Sequence, residues 1–167
     1  MAIKDTLLPE FDQEVAQTRK MLERVPEDAL EWQPHAKSMT LGRLATHLAE
    51  TVAWGERALT LDSFDVLPPG SPPPVRKSLP SRAAMLDLLD QNAARSRAAI
   101  AATDDAAFAR PWSLLRGGAT VFTLPRIGVV RTMLLSHLIH HRGQFSVYLR
   151  MRDVPVPGMY GPSADER

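Results

Sequence analysis

Three of the chain's five histidines, His137, His140 and His141, fall within five residues of one another. A neutral imidazole offers a lone pair to a metal ion, and two imidazoles four residues apart on a helix point the same way. His137 and His141 have that spacing. They also belong to a series of mostly apolar positions, Ile127, Val130, Leu134, His137, His141, Gln144, Tyr148 and Met151, whose steps alternate between three and four. That is the period of one helix face turned to an interior. Two histidines and a glutamine therefore stand where leucines are expected, and burying polar groups without partners costs kilocalories each. Ligation of a divalent metal by the pair accounts for them. The competing account is packing with local hydrogen bonds, since a bare HxxxH is a frequent chance match. His140 falls about 60° off the series at 100° per residue and stands apart from it.

A third histidine occupies a core position elsewhere. The series Leu41, Leu44, His47 with Leu48, Thr51, Trp54 and Ala58 predicts a helix capped by Ser38 or Thr40 and running to about Leu59. Alone, His47 reads as a satisfied core histidine. Beside the pair it completes a set of three imidazoles, which leaves the far side of a divalent ion to water or substrate, the pattern of a catalytic site. Histidine-only ligation suits Zn, Ni, Fe(II) or Mn without choosing among them. Glu50, one turn beyond His47, has four readings: extra ligand, partner orienting a ligand, base, or surface carboxylate. Arg142, beside the pair, reads first as one of several arginines salt-bridged to the acidic face of the first helix and to the C-terminal carboxylates. Its functional alternative is to hold an anionic substrate or order the site. His35 reads as a solvated loop residue and Trp32 as a lid on the core.

Proline punctuates the elements that must position these groups. Fourteen prolines leave four long free runs, 10–25, 35–67, 81–110 and 126–154. Leu8, Phe11, Val15, Thr18, Leu22 and Val25 give a first amphipathic helix starting near Pro9 and ended by Pro26. The second carries His47. A third begins after a Ser81 cap, with Met85, Leu88, Leu89, Ala93 and Ile100 inward, and ends near Thr103. The fourth follows Pro125 and carries the histidine pair. Residues 62–80, with six prolines, read as an extended crossover between helices two and three. Around Gly117-Gly118, residues 104–125 read as either a small hairpin or an ordered loop. The expectation is therefore an all-α four-helix bundle, one domain over 1–167, with an extended tail over 154–167.

Composition narrows the function classes. With 44% hydrophobic and 23% charged residues, the 167-residue chain reads as an ordinary globular protein. A formal net charge of +1 advertises neither nucleic acid nor a membrane surface as partner. The absence of cysteine excludes thiolate metal sites and cysteine nucleophiles and fits a reducing compartment. The N-terminus lacks the pattern of a signal peptide, and no apolar run is long enough to span a bilayer, so a cytoplasmic location is expected.

The segment Leu41-Gly42-Arg43-Leu44-Ala45-Thr46-His47-Leu48-Ala49-Glu50 and the block His137-x-x-x-His141-Arg142-Gly143-Gln144, followed by Tyr148-Leu149-Arg150, resemble the DinB/YfiT-like superfamily. Trp32–Pro34 and the closing Pro157–Ser163 are similar to elements of that family as well. The resemblance implies an up-down-down-up four-helix bundle, commonly a homodimer, with a metal held by His47, His137 and His141. It implies a small-molecule substrate too, since some relatives transfer low-molecular-weight thiols such as bacillithiol or mycothiol, or isomerise maleylpyruvate with a thiol. The shared chemistry would be a metal that lowers the pKa of a bound thiol or water. A metal-dependent transferase or hydrolase is thus the first expectation. The alternative is a metal-binding or stress-related dimeric bundle without turnover.

Overall fold

A computed structural model describes residues 1–166; residue 167, the last of the expected tail, lies outside the described residues. Helix α1 spans Ile3–Leu22 and so starts six residues ahead of Pro9. The free N–H groups of its first turn are met by carboxylates: Ala2 N–H donates to Asp5 at 2.9 Å and Ile3 N–H to Asp105 at 2.8 Å. Its buried face runs Leu7, Phe11, Glu14, Thr18, Met21 and Leu22, turned from the expected series toward Glu14. That carboxylate is drawn inward by Arg142.

The expected second helix is two. Helix α2, Leu41–Thr51, starts at a Thr40 cap whose hydroxyl accepts from Arg43 N–H at 3.2 Å. Helix α3, Trp54–Thr60, follows after a break at Val52–Ala53. The break has an identifiable cause on helix α4, Arg82–Ala102. The Ser96 hydroxyl donates to the Val52 carbonyl at 2.6 Å and accepts from Glu56 N–H at 3.0 Å. Those two backbone groups would otherwise pair with each other, so the side chain has entered the i→i−4 ladder. Gly55 permits the approach, because a Cβ there would lie 2.8 Å from the Ser96 Cβ. Asn92 of α4 reinforces it by donating to the Ala49 carbonyl at 2.8 Å.

The last helical stretch is also interrupted. After the short α5 (Asp105–Ala109) and α6 (Arg126–Val129), Val130–Ser136 is π-helical, and α7 runs His137–Met151. A π turn holds an extra residue per turn and shifts the phase of all that follows. The buried seam of α7 is consequently Leu138, His141, Arg142, Phe145 and Leu149, whereas Gln144 and Met151 are exposed. His137 and His141 stand at one shoulder of this seam rather than along its centre. Helix α2 packs on α4 and α7, and α1 packs on the same two.

The chain is not all-α. Strands β1 (Ser63–Asp65), β2 (Pro111–Arg116) and β3 (Ala119–Pro125) form a mixed three-stranded sheet in the order β1-β2-β3, so the structure corrects the expected pure four-helix bundle to a mixed one. Strands β2 and β3 are an antiparallel hairpin, the first of the two readings of 104–125. Its two-residue turn has φ of +63° at Gly117 and +79° at Gly118, as a type I′ turn requires. Strand β1, inside the proline-rich crossover, pairs parallel with β2. The Asp65 carboxylate accepts from Leu67 N–H at 2.9 Å, Gly117 N–H at 3.1 Å and Gly118 N–H at 2.7 Å, pinning the crossover to the hairpin turn. Arg126 closes the other end, donating to the Ala58 carbonyl at 2.7 Å, the Leu61 carbonyl at 2.6 Å and Asp62 at 2.7 Å. Trp112 of β2 is fully buried, edge-on to Trp54 with ring centres 6.2 Å apart. Among the described residues no helix is long and apolar enough to cross a membrane.

Candidate metal centre

The fold brings the three histidines singled out by spacing to one point. His47 comes from the middle of α2, His137 opens α7 directly after the π turn, and His141 follows one turn on. Ring centres are 5.1 Å apart for His47–His137, 4.6 Å for His47–His141 and 4.6 Å for His137–His141. One nitrogen from each ring lies within 4.8 Å of the others, so the group could hold a metal ion. His47 and His137 face each other through their Nε2 atoms at 3.4 Å. Two nitrogens bound at 2.0–2.1 Å in tetrahedral geometry are separated by about 3.3 Å, so the observed gap is that of a ligand pair.

Two of the three outer nitrogens face a polar side chain. The His141 Nδ1 contacts Gln144 Oε1 at 2.7 Å, and since an amide oxygen only accepts, the ring carries its proton on Nδ1 and turns the Nε2 lone pair inward. The His47 Nδ1 lies 3.6 Å from Glu50 Oε2. The His137 Nδ1 is buried without a hydrogen bond of good geometry, although the Met133 carbonyl one turn back favours its protonation. Burial, then repulsion from the neighbouring imidazoles, pushes His141 down to about 4 against the opposing pull of Gln144. Burial followed by the charge on His47 lowers His137 as well. At neutral pH both are therefore unprotonated, the state a metal needs. His140 lies outside the group: it is exposed, its ring centre 4.9 Å from that of His141.

The two candidate catalytic residues separate. Glu50 is at the site, its side chain 44% exposed, bridging His47 and the Arg43 guanidinium. Desolvation raises its pKa, but the adjoining His47 ring and Arg43 guanidinium outweigh that and hold the carboxyl below its usual value. Arg142 turns the other way. Its side chain is 3% exposed and pairs with Glu14 of α1, donating also to the Glu14 carbonyl at 3.0 Å and to Thr18 Oγ1 at 3.3 Å, with the Tyr160 hydroxyl closing the network. This is the salt-bridge reading with the acidic face of the first helix. Trp32 is part-buried and edge-on to Tyr148 at 5.7 Å, and exposed His35 accepts from Lys37 N–H at 3.1 Å.

Sequence reasoning missed what adjoins the histidines. A cleft of about 320 Å³ opens beside His47 and Glu50, lined by Arg43, Trp54, Arg57 and Phe64 with Val75 and Arg76 of the crossover. Its wall is drawn from α2, α3, β1 and the proline-rich segment, which share no period. The one local signal was the Trp54–Arg57 spacing of three.

Compared with known families, residues 10–145 match the DinB superfamily. The chain belongs to that superfamily. Among curated proteins, the uncharacterized protein YrdA of Bacillus subtilis (strain 168) is 44% identical over 39 residues, a match covering only 23% of this chain and 23% of that protein. A crystal structure of a DinB-like protein from Bacillus cereus ATCC 10987 superposes with a TM-score of 0.72 at 22% identity, covering 95% of this chain and 98% of that one. The DinB-like protein YjoA of Bacillus subtilis gives 0.66 at 14% identity, over 90% of this chain and 95% of that one. These two likenesses show that the DinB-like fold extends over nearly the whole chain.

Proposed function

We propose that His47, His137 and His141 hold one divalent metal ion, and that this DinB-family protein is a metal-dependent enzyme acting on a small molecule, a thiol transferase before a hydrolase. The observation that carries the reading is the convergence of one ring nitrogen from each of three part-buried histidines on two helices, with His47 lining the adjoining cleft. A bound Zn, Ni, Fe(II) or Mn ion would act there as a Lewis acid, lowering the pKa of a thiol or water so that its anion is available as a nucleophile at neutral pH.

The protein's own groups do the rest. Depressed basicity keeps His137 and His141 neutral. Gln144 fixes one ring's tautomer, and Glu50 lies against the outer nitrogen of another. Glu50, its side chain 44% exposed, also lines the cleft and is the group that would take a proton from an incoming nucleophile. Trp54 and Phe64 exclude water from one wall.

The test is elemental analysis of protein purified without a histidine tag, followed by thiol-conjugation assays with and without chelator. Near-stoichiometric metal, lost in His137→Ala, and chelator-sensitive conjugation are expected. Metal that chelation removes with a large fall in melting temperature but no turnover would favour the non-catalytic alternative, in which the ion only ties α2 to α7.

A further inference from the structure

The cleft beside His47 holds a charge arrangement that the metal reading does not use. Arg57 of α3 is half-buried with its guanidinium over two aromatic faces, 5.4 Å from the centre of Trp54 and 4.8 Å from that of Phe64. Among the described residues it makes no salt bridge, and its side chain makes no hydrogen bond. Its place is nevertheless set. Trp112 donates its indole N–H to the Arg57 carbonyl at 3.2 Å, and the pairing of β1 with β2 holds Phe64 beneath the guanidinium. Desolvation lowers its pKa below the usual arginine value despite the attraction of Glu56 and Glu50.

The two acidic groups nearest it are engaged elsewhere. Glu56 binds Arg95 at 3.0 Å, and Glu50 is paired with Arg43. Arg76, on the irregular part of the crossover that also lines the cleft, is exposed and likewise lacks an ionic partner among the described residues. Beside it Val75 is 78% exposed, an apolar side chain standing at the rim. The cleft thus offers two uncommitted guanidinium groups and an apolar wall, with an imidazole cluster at one end. A stacked guanidinium keeps its N–H edge free, and that edge matches a carboxylate bidentately.

We infer that this cleft binds a small molecule with an apolar body and a carboxylate, the body against Trp54, Phe64 and Val75 and the carboxylate on Arg57, with Arg76 at the mouth. The inference deepens the proposed function, since it takes the ligand's other end to lie toward His47. Its binding component does not depend on a metal.

Calorimetric titration with 4-phenylbutanoate and its neutral isostere 4-phenylbutanamide tests it, on protein stripped of metal by chelator and dialysis and on protein as purified. In the stripped form no ion is available to hold the carboxylate, so any preference belongs to the side chains. The acid is expected to bind roughly tenfold more tightly than the amide. Arg57→Met should abolish that preference and Arg57→Lys retain part of it, with thermal melts confirming that both variants fold. Added salt should weaken the acid and not the amide. Equal affinities for the two probes, no binding of either at millimolar concentration, or a preference unchanged in Arg57→Met would overturn the inference. His137→Ala separates it from the metal reading: metal content should vanish while the carboxylate preference stays.

Discussion

Gln144 accepts a hydrogen bond from the His141 Nδ1 at 2.7 Å, from an exposed position three residues along the same helix. The contact sets which nitrogen of His141 carries the proton and so which one is free for a metal. Outer partners of this kind are worth roughly 10–100-fold in metal affinity. Gln144→Leu should therefore weaken metal binding by about that factor, measured by competition with a chromophoric chelator. Because the side chain is exposed, the metal-free melting temperature should barely move. A large loss of metal-free stability with unchanged affinity would mean that the contact is only structural.

The histidine cluster should make the metal-free protein sensitive to acid. His141 titrates near 4 in the folded chain and His137 below its usual value, both because burial disfavours the charged ring, whereas the unfolded chain takes up these protons near pH 6.5. Between those values the unfolded state binds more protons, so stability rises with pH across the window and is lost as pH falls from 6.5 toward 4. Melting temperatures of chelator-treated protein should fall steadily through that range. His141→Gln, which cannot titrate, should flatten the curve. An identical slope in wild type and variant would contradict the assignment.

Much of the site, and less of the fold, was legible in the residues. His137 and His141 are four apart on one helix, so their shared direction is a local property that periodicity reports. His47 could be added because it too replaces an apolar residue in a helical series. The π turn at Val130–Ser136 was invisible, since it changes phase without changing composition, and it displaced the predicted seam from Gln144 and Met151 to Phe145 and Leu149. Strand β1 is three residues long and pairs with a partner some fifty positions away, so it carries no period of its own. Its concealment within a proline-rich stretch is why the chain read as all-α. Arg57 was missed for the same reason: what makes it distinctive is the Phe64 ring that this strand supplies.

The break between α2 and α3 should be intolerant of added volume. A Cβ on Gly55 would sit 2.8 Å from the Ser96 Cβ and 3.1 Å from a Leu134 methyl, all within packed core. Gly55→Ala is expected to destabilise by about 1–3 kcal/mol despite the better helix propensity of alanine. Urea unfolding provides the comparison, with Gly143→Ala as control, because a Cβ at Gly143 meets nothing within 4 Å and should be neutral or stabilising. Equal effects at the two positions would show that the close approach of α4 is not what shapes this helix.

Arg142 is next to the histidines in sequence, yet its ionic partner is Glu14 on α1, and the two side chains are 3% and 6% exposed. Removing one member of such a pair leaves the other buried without compensation, a loss of roughly 3–5 kcal/mol. Arg142→Met should therefore lower stability by about that amount and also loosen the tail, because Tyr160 stacks against this guanidinium and donates to Glu14. The double variant Arg142→Met with Glu14→Leu should recover part of the loss, since no orphaned charge then remains. Metal affinity per folded molecule should stay near wild type, because Arg142 is not among the groups converging on the three imidazoles. Denaturant curves and metal competition on the same samples separate the two roles: lost metal affinity at nearly unchanged stability would return Arg142 to the site, while the opposite result places it in the scaffold that fixes α7 against α1.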